Sequence, residues 1–320
     1  MRWLVTGAAG FVGGHLVARL RAEQTREVFG ILRPGSGPAP RDCEAIEVDL
    51  LDAEAIRRCV ATLRPDRIVH LAAQSSARES WKDPEGTLRT NLFGLLYLLE
   101  AVRLAGLTPR LLVVGSAEEY GTVPAAAAPI PEETPPRPAS PYALSKVAQG
   151  YLALQYALAH GLHVVRTRTF NHTGPGRGPG FAESSFARQI AEIEAARHEP
   201  SIAVGNLEAV RDFTDVRDVV RAYVRLLEAG QAGEVYNVAS GRGHRIAEVL
   251  DRLIAHARVQ VDVRRDAHRL RPVDTPYLVG DATRLRRATG WEPEIPFDQT
   301  LEDLLRYWRE RVAAQEHVSH

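Results

Sequence analysis

Short runs of β-branched and other apolar residues alternate with amphipathic segments through the first half of the chain. The apolar runs have the length of buried strands and lie at residues 3–6, 27–32, 67–71, 110–115 and 163–169. Between them, apolar side chains recur near the helical period at residues 10–22, 52–63, 84–105 and 140–160. Asp52 and Ser140 are suited to cap two of these helices. Alternating strands and helices predict βαβ units that build a parallel sheet.

The second half of the chain has a looser pattern. Short strands are predicted near residues 201–204, 234–238 and 260–264, and helices near 214–229, 246–257 and 297–313. Two segments rich in proline or glycine, 124–138 and 171–180, are predicted to be loops. This mixture predicts a smaller α/β unit that covers one edge of the sheet.

Composition excludes several classes of function. The chain has 320 residues, of which 40 are positively and 40 negatively charged, so no basic face indicates a nucleic-acid partner or a membrane surface. Cys43 and Cys59 lack the spacing of metal ligands, so we predict reduced thiols and no metal site. The chain opens directly on a strand and holds no run of about 18 apolar residues, which favours a cytoplasmic protein.

A glycine pattern follows the first predicted strand. Gly7, Gly10 and Gly13 stand between that strand and the first helix, with Phe11 and Val12 in the same turn. Glycines here permit a tight turn and let the backbone approach a pyrophosphate, whose charge is stabilised at the helix N-terminus. A plain strand-to-helix turn is the alternative interpretation. In this context we favour a dinucleotide site.

The pattern as a whole predicts a doubly wound α/β fold. Residues 1–170 are expected to form a Rossmann-type NAD(P)-binding domain, joined by segments that return from about 205–240. Residues 171–320 are expected to form mainly a smaller C-terminal α/β cap. The substrate would bind between the cap and the sheet.

The residues after the second strand bear on the choice of cofactor. NAD sites usually present a carboxylate there, whereas this chain has Arg33 and no acidic residue before Asp42. NADP(H) is therefore favoured, with NAD(H) as the alternative because Arg33 is equally suited to a solvated surface. Further positions expected at the cofactor, or else in ordinary packing, are Asp49 and Leu50 near the adenine and Leu71, Ala72 and Ala73 near the pyrophosphate.

The candidate chemistry lies in Tyr142 and Lys146, which are one helical turn apart. A tyrosine has an ordinary pKa of about 10, and a nearby ammonium favours its phenolate form. Lys146 at i+4 faces the same side of a helix as Tyr142 and can also reach a bound ribose. Ser116 follows the fourth predicted strand, at the edge where open parallel sheets bind ligands. A proton donor beside a dinucleotide site predicts an oxidoreductase.

This order of serine, tyrosine and lysine, with the glycine turn, resembles the extended short-chain dehydrogenase/reductase superfamily over essentially the whole chain. Longer stretches are similar to its GDP-mannose branch, namely residues 115–121 (GSAEEYG), 140–142 (SPY), 169–176 (TFNHTGPG), 205–215 (GNLEAVRDFTD) and 271–274 (RPVD). The resemblance implies that Ser116 hydrogen-bonds the substrate oxygen, that Tyr142 transfers the proton, and that Lys146 lowers the tyrosine pKa and binds the nicotinamide ribose.

The same resemblance assigns a GDP-linked sugar to the cap. It implies that Asn171 and Arg188 contact the sugar nucleotide and that Val204 and Asn206 line the base. It also implies that Arg211 pairs with the diphosphate and that Arg271 with Asp274 holds the guanosine ribose and phosphates. His172 and Arg177 match positions at the cofactor. Solvated helix faces and an exposed loop are the alternative for these polar residues.

One motif bears on the reaction. Related dehydratases carry a serine just before their glutamate base, whereas here Ala117 precedes Glu118. The resemblance therefore implies reduction of the C4 ketone of GDP-4-keto-6-deoxy-D-mannose to GDP-D-rhamnose (GDP-6-deoxy-D-mannose), with Glu118 as a candidate catalytic carboxylate. A GDP-mannose 4,6-dehydratase, or an enzyme that performs both steps, is the leading alternative. A non-catalytic dinucleotide-binding protein is a further one.

Two predicted helices, 87–105 and 142–159, are apolar on more than one face. This pattern predicts a homodimer through a four-helix interface, as the resemblance also implies. Burial beneath the cap is the competing explanation, and a tetramer would carry the same pattern.

Overall fold

A parallel sheet forms the centre of the molecule. A computed structural model describes residues 1–23, 26–41, 43–269 and 275–316. The strands among these residues are β1 (Arg2–Thr6), β2 (Glu27–Leu32), β3 (Glu44–Glu47), β4 (Arg67–His70), β5 (Arg110–Ser116), β6 (Val164–Thr169), β7 (Asn171–Thr173), β8 (Ser201–Val204), β9 (Val210–Asp215), β10 (Val235–Val238), β11 (Gly243–Arg245), β12 (Asp262–Arg265) and β13 (Tyr277–Leu278). One sheet has the order β10-β6-β5-β4-β1-β2-β3, and each neighbouring pair in it is parallel. The predicted doubly wound sheet is confirmed.

Helices cover both faces of this sheet and build the cap. Within the described residues they are α1 (Phe11–Arg21), α2 (Ala53–Leu63), α3 (Ala77–Lys82), α4 (Pro84–Leu88), α5 (Gly94–Leu104), α6 (Pro141–His160), α7 (Ala182–Glu194), α8 (Val216–Ala229), α9 (Ile246–Ala255), α10 (Thr283–Thr289) and α11 (Phe297–Glu316). The side chains of Asp52 and Ser140 accept backbone N–H groups of α2 and α6, which confirms both predicted caps. In the described part of the chain, no helix is both long and apolar enough to cross a bilayer.

Three predictions of local structure need correction. The single helix predicted at 84–105 is divided into α4, a π-helical turn (Arg89–Phe93) and α5. β3 escaped the hydrophobic pattern because it is a mostly exposed edge strand with the sequence Glu-Ala-Ile-Glu. β9 was not predicted because its buried positions include polar side chains. β7 lies inside the segment that was predicted to be a loop, and it pairs with β9. Apolar periodicity detects neither kind of strand.

Three apolar clusters hold these elements together. One includes Leu16 and Tyr223, on the sheet face covered by α1 and α8. A second includes Ile56 and Leu98, on the face covered by α2, α5 and α6. A third, around Leu253, is built from α7, α9 and α11 and forms the core of the cap. Removal of these side chains from water stabilises both the sheet and the cap.

The strand order reverses between β1 and β4. The chain runs outward from β1 to β2 and β3, then returns to place β4 on the other side of β1. In an open parallel sheet, the connections that leave the carboxyl ends of the strands diverge at such a reversal and leave a crevice. Gly7 follows β1 and Leu71 follows β4, so both residues lie at this crevice.

Candidate active site

The glycine turn between β1 and α1 leaves its backbone accessible. Gly7 has a φ of 72°, and a Cβ on it would lie 3.0 Å from the backbone of Ala72. A Cβ on Gly13 would lie 2.7 Å from Cα of Ala8 and overlap the carbonyl oxygen of Gly7. Gly10 is the exposed N-cap of α1, whose first turn has no side-chain cap and no acidic residue. The backbone N–H groups of this turn can therefore receive an anionic pyrophosphate.

The crevice is bordered by residues that follow β2 and β3 on one side of β1 and β4 on the other. Arg33 follows β2 and is exposed, without an ion pair to any residue that the structure describes. Asp49 is also exposed, and its carboxylate accepts the N–H of Leu51 at 2.9 Å, whereas Leu50 is buried in the core. The half-buried residues Leu71, Ala72 and Ala73 follow β4, and the N–H of Ala72 donates to Oγ1 of Thr6 at 3.2 Å.

An aromatic and cationic cluster covers the glycine turn. The rings of Phe11 and His172 are parallel, with centroids 6.1 Å apart. The guanidinium of Arg177 lies 5.0 Å from the ring of Phe11 and 3.3 Å from that of Phe181. Burial, together with the charge of Arg177, lowers the pKa of His172 to about 4. His172 is therefore neutral at physiological pH, and Arg177 supplies the positive charge.

Ser116 and Tyr142 meet at the carboxyl end of β5. Ser116 is the last residue of β5, and its Oγ accepts the N–H of Glu118 at 3.2 Å. The same hydroxyl lies near enough to the phenol of Tyr142, in the first turn of α6, to favour the phenolate form as a hydrogen-bond donor does. The hydrogen bond from Glu118 uses a lone pair of Oγ and leaves its proton available for donation. The two hydroxyls form a paired donor site for an oxygen atom of a substrate.

The environment of Tyr142 differs from the sequence prediction. Burial raises the pKa of Tyr142 above its ordinary value, and the negative charge of the half-buried Glu118 raises it further. The sequence had predicted a lowered pKa through Lys146. The charged groups that act on the Tyr142 pKa here are Glu118, Glu119 and Arg177, and the ammonium of Lys146 donates to oxygen atoms of Val114 and Gln149. Tyr142 is consequently protonated at neutral pH, as a proton donor must be.

Lys146 follows Tyr142 by one turn of α6 and is buried. Its Nζ donates to the backbone oxygen of Val114 and to Oε1 of Gln149, each at 2.9 Å. Burial lowers the pKa of Lys146 to about 8, and the negative charge of Glu119 opposes that shift. Below that pH the ammonium places a positive charge in a site of low dielectric constant, where it acts strongly on developing negative charge.

A second glutamate, missed at the sequence level, holds Ser116 in place. The carboxylate of Glu119 accepts the N–H of Ser116 at 2.9 Å and pairs with Nε of Arg168 at 3.0 Å. Both charged side chains are buried. The spacing Ser116-Ala-Glu-Glu119 is that of a capping box, and the structure contains both of its hydrogen bonds. This motif was the available signal that separates structural Glu119 from Glu118.

The cap contributes the residues that the resemblance assigned to a sugar nucleotide. Asn171 lies in β7, and Arg211 lies in β9, two residues before the partner of Asn171. Arg188, on α7, pairs with Glu192 at 2.7 Å. Val204 is fully buried in the cap core, whereas Asn206 is exposed and accepts the N–H of Glu208 at 3.0 Å. Arg271 and Asp274, like Asp42, lie outside the described residues.

The fold brings together residues that are far apart in sequence. The ends of β1, β4 and β5 carry Gly7, Leu71 and Ser116, and α6 adds Tyr142 and Lys146. This arrangement combines a dinucleotide cradle with a protonated acid and a buried cation. Among the residues described, no cluster of three His, Cys, Asp or Glu side chains could hold a metal ion. The geometry is suited to proton transfer at a carbonyl or hydroxyl group.

Comparison with known proteins points in the same direction. The profile of the GDP-mannose 4,6 dehydratase family matches residues 4–304. A GDP-6-deoxy-D-mannose reductase from Pseudomonas aeruginosa is 40% identical over 311 residues, which cover 97% of this chain and 98% of the relative. GDP-mannose 4,6 dehydratase 1 from Arabidopsis thaliana is 32% identical over 337 residues, covering 97% of this chain and 92% of the relative.

Solved structures match over the same length. RMD from Pseudomonas aeruginosa, complexed with NADPH, is 39% identical, with a TM-score of 0.85 and coverage of 97% of this chain and 99% of that one. UDP-glucose 4-epimerase from Thermus thermophilus, complexed with NAD, is 32% identical, with a TM-score of 0.87 and the same coverage of the two chains. These matches confirm the resemblance and the dependence on a nicotinamide dinucleotide. The chain is an oxidoreductase that belongs to the GDP-mannose 4,6 dehydratase family, within the short-chain dehydrogenase/reductase superfamily.

Proposed function

We propose that this enzyme reduces the C4 ketone of GDP-4-keto-6-deoxy-D-mannose with NADPH, which yields GDP-D-rhamnose (GDP-6-deoxy-D-mannose). The observation that carries the proposal is the proximity of the Ser116 and Tyr142 hydroxyls, with the buried ammonium of Lys146 one turn further along α6. The similarity to a GDP-6-deoxy-D-mannose reductase over nearly the full length of both chains supports the choice of substrate.

The residues present suit a bound dinucleotide. The turn of Gly7, Gly10 and Gly13 has no room for side chains toward Ala8 and Ala72, and its N–H groups would hold the pyrophosphate. Arg33 would approach a 2′-phosphate, with Asp49 and Leu50 at the adenine edge. NADPH is the preferred cofactor on this ground and on its presence in the related RMD structure, and NADH is the alternative.

In the proposed reaction the bound nicotinamide supplies a hydride to C4 of the sugar. Ser116 donates a hydrogen bond to the ketone oxygen, keeps its proton and orients the carbonyl. Tyr142 transfers the phenolic proton to the same oxygen, so that the ketone becomes a secondary alcohol and the tyrosine becomes a phenolate. The positive charge of Lys146 stabilises that phenolate until a proton from water restores the phenol.

The GDP portion of the substrate needs cations that a neutral chain must supply locally. We assign Arg188, Arg211 and Arg271 to the phosphates and ribose, together with Asp274. Asn171 and Asn206 complete the proposed sugar and base contacts, whereas the side chain of Val204 is buried in the cap core and is not assigned to the base. We also propose that residues 1–170, with segments from about 205–240, form the cofactor domain. Residues 171–320 would form mainly the cap that binds the sugar nucleotide.

Replacement of the proton donor tests the proposal directly. Tyr142→Phe removes one oxygen atom, and we expect kcat for the 4-keto sugar to fall by about 10²–10⁴ while NADPH affinity is retained. Tyr307→Phe is a matched control, because Tyr307 lies on α11 and packs against the core of the cap. Turnover of Tyr142→Phe at the wild-type rate would rule out the proposed role.

Glu118 supports a second candidate reaction. Its half-buried carboxylate acts electrostatically on Tyr142, so it lies close enough to the site to serve as a base at C5. Loss of the C5 proton next to a C4 ketone, followed by loss of the C6 hydroxyl, is dehydration. Incubation of the enzyme with GDP-mannose and catalytic NADP⁺ separates the reactions. Formation of a 4-keto-6-deoxy sugar would indicate a dehydratase or an enzyme with both activities, and no reaction is expected for a reductase.

We propose that the enzyme is a homodimer. Large apolar side chains remain exposed along the outer sides of α5 and α6 and the π-helical turn; they are Phe93, Leu104, Leu144, Tyr151 and Leu158. Two copies of this surface would pack as a four-helix interface. A tetramer is the alternative, and light scattering distinguishes the two.

A further inference from the structure

Lys146 is chemically unusual in this chain. The 40 cationic side chains include only two lysines, Lys82 and Lys146, and all the others are arginines. Lys82 is exposed on α3, whereas Lys146 is buried. An ammonium is a compact charge on a flexible stem, so its direction has to be imposed by its neighbours. The residues that fix the direction of the ammonium therefore bear on its proposed role in the reaction.

The ammonium of Lys146 donates its hydrogen bonds to neutral groups. An ammonium has three N–H donors, and Nζ uses two of them on the oxygen atoms of Val114 and Gln149, each at 2.9 Å. One donor remains for the reaction site. The carbonyl of Val114 is held by β5, but the carboxamide of Gln149 is on a side chain and needs an orientation of its own.

That orientation is set by Asn91. Nε2 of Gln149 donates to the backbone oxygen of Asn91 at 3.1 Å, which leaves Oε1 of Gln149 to face Lys146. Gln149 is fully buried, so a reversed amide would place NH₂ against an ammonium without water to compensate. Asn91 lies in the π-helical turn between α4 and α5, where the altered helical hydrogen bonding leaves a carbonyl for a side chain.

Asn91 is itself attached to the cofactor crevice. Its Oδ1 accepts the N–H of Gln74 at 2.7 Å, and its Nδ2 donates to the carbonyl oxygen of Gln74 at 3.1 Å and to Oγ of Ser145 at 2.8 Å. Gln74 directly follows Ala73, in the segment after β4 that borders the glycine turn. Hydrogen-bonded amides thus connect this segment, through Asn91, to the ammonium of Lys146.

We propose that Gln149 is a positioning residue, which directs the ammonium of Lys146 toward the reaction site through a chain of hydrogen bonds from the backbone of Gln74 to the buried side chains of Asn91 and Gln149. The proposal rests on the proposed ketone reduction, in which Lys146 must act on Tyr142. A neutral amide holds the ammonium without pairing with its charge, whereas a carboxylate at the same place would neutralise it. Under this proposal the π-helical turn places Asn91 where its side chain contacts the backbone of Gln74 and its carbonyl accepts Nε2 of Gln149.

Few other charges act on Lys146, which makes the effect of Gln149 measurable. Glu119, from the turn after β5, supplies a negative charge. His70, at the end of β4, is neutral, because burial lowers its pKa to about 3. Tyr142, one turn earlier on α6, is protonated. A new carboxylate at residue 149 would therefore change the local charge from one negative group to two.

Nuclear magnetic resonance of lysine side chains provides a test that does not depend on activity. Protein labelled with ¹³C at lysine Cε should give two signals, of which exposed Lys82 is an internal reference. We expect the Lys146 signal to titrate near pH 8 in the wild type, at least one pH unit higher in Gln149→Glu, and lower in Gln149→Leu. Gln155→Glu, on the exposed side of the same helix, should leave the titration unchanged.

Kinetics completes the test. The alkaline limb of kcat should move upward in Gln149→Glu together with the Lys146 signal, and Gln149→Leu should lose about tenfold in kcat with little change in the KM for the sugar nucleotide. Identical Lys146 titrations in all Gln149 variants, or an equal shift in Gln155→Glu, would overturn the proposal. Absence of ketone reduction by the wild type would instead refute the proposed function and leave the magnetic resonance result valid.

Discussion

The buried carboxylate of Glu119 pairs with Arg168 across two adjacent strand ends, with 3.0 Å between its Oε2 and Nε of Arg168. Gly115 lies beside Arg168 in the register, and a side chain on Gly115 would collide with the carboxylate. The pair in turn fixes the backbone of Ser116. An ion pair in the core therefore sets the position of a reactive hydroxyl.

Removal of one partner of this pair is expected to destabilise the protein strongly. Arg168→Met leaves the Glu119 carboxylate buried without its cation and should lower the free energy of unfolding by about 3–5 kcal/mol. Burial raises the pKa of Glu119, so the isolated carboxyl should bind a proton more readily when folded. The loss should then become smaller as the pH falls through that pKa. Urea unfolding at several pH values measures this, and the double variant with Glu119→Gln should recover part of the loss.

Gly13→Ala should abolish useful cofactor binding. The added Cβ would force the start of α1 away from the carbonyl of Gly7, and a backbone displacement of about 1 Å can cost about 100-fold. NADPH fluorescence titration measures the affinity. Gly14→Ala is the matched control, because a Cβ there meets no heavy atom within 4 Å. Equal NADPH affinity in the Gly13→Ala and Gly14→Ala variants would contradict the proposed binding of the dinucleotide at this glycine turn.

Arg33→Ser should change the choice between cofactors. If Arg33 contacts the 2′-phosphate, its loss removes charge-assisted hydrogen bonds of about 1.5–3 kcal/mol and lowers kcat/KM for NADPH by roughly 10–100-fold. NADH lacks that phosphate, so its kcat/KM should stay constant. Steady-state rates with NADPH and NADH test this prediction. An equal loss of kcat/KM for NADH would mean that Arg33 does not contact the 2′-phosphate.

The reaction should slow in alkaline solution. In the proposed mechanism the active form of Lys146 is the ammonium. Burial lowers its pKa to about 8, so the charge is complete below that pH and is lost as the pH rises through it. We expect kcat to fall about tenfold for each pH unit above 8. Lys146→Arg should have a lower kcat without this alkaline limb, because a guanidinium stays charged. A wild-type rate that is constant to pH 10 would exclude the ammonium from catalysis.

A charge on the exposed helix surface should disrupt the proposed dimer. Leu158 lies on α6 with 78% of its surface exposed, and Leu158→Arg would place two guanidiniums against each other in the proposed interface. Light scattering should then give the mass of a single chain. Val263→Arg, on β12 of the cap, should leave the mass of the assembly unchanged.

Local patterns in the sequence were sufficient for much of this enzyme. Most strands of the central sheet, the caps at Asp52 and Ser140, and the glycine turn are recognisable because each depends on residues within a few positions of one another. The exposed edge strand β3 and the polar strand β9 were not recognisable, because their residues follow no apolar period.

The sequence by itself determined the fold class and the glycine turn, and it supplied the two hydroxyls that we propose take part in the reaction. Only the tertiary structure decided what holds them. Strand order places Arg168 beside Glu119, and a π-helical turn places Asn91 beside Gln149, across separations that no spacing rule encodes. Burial also reversed the expected pKa shift of Tyr142, since the dielectric around a side chain depends on everything packed against it.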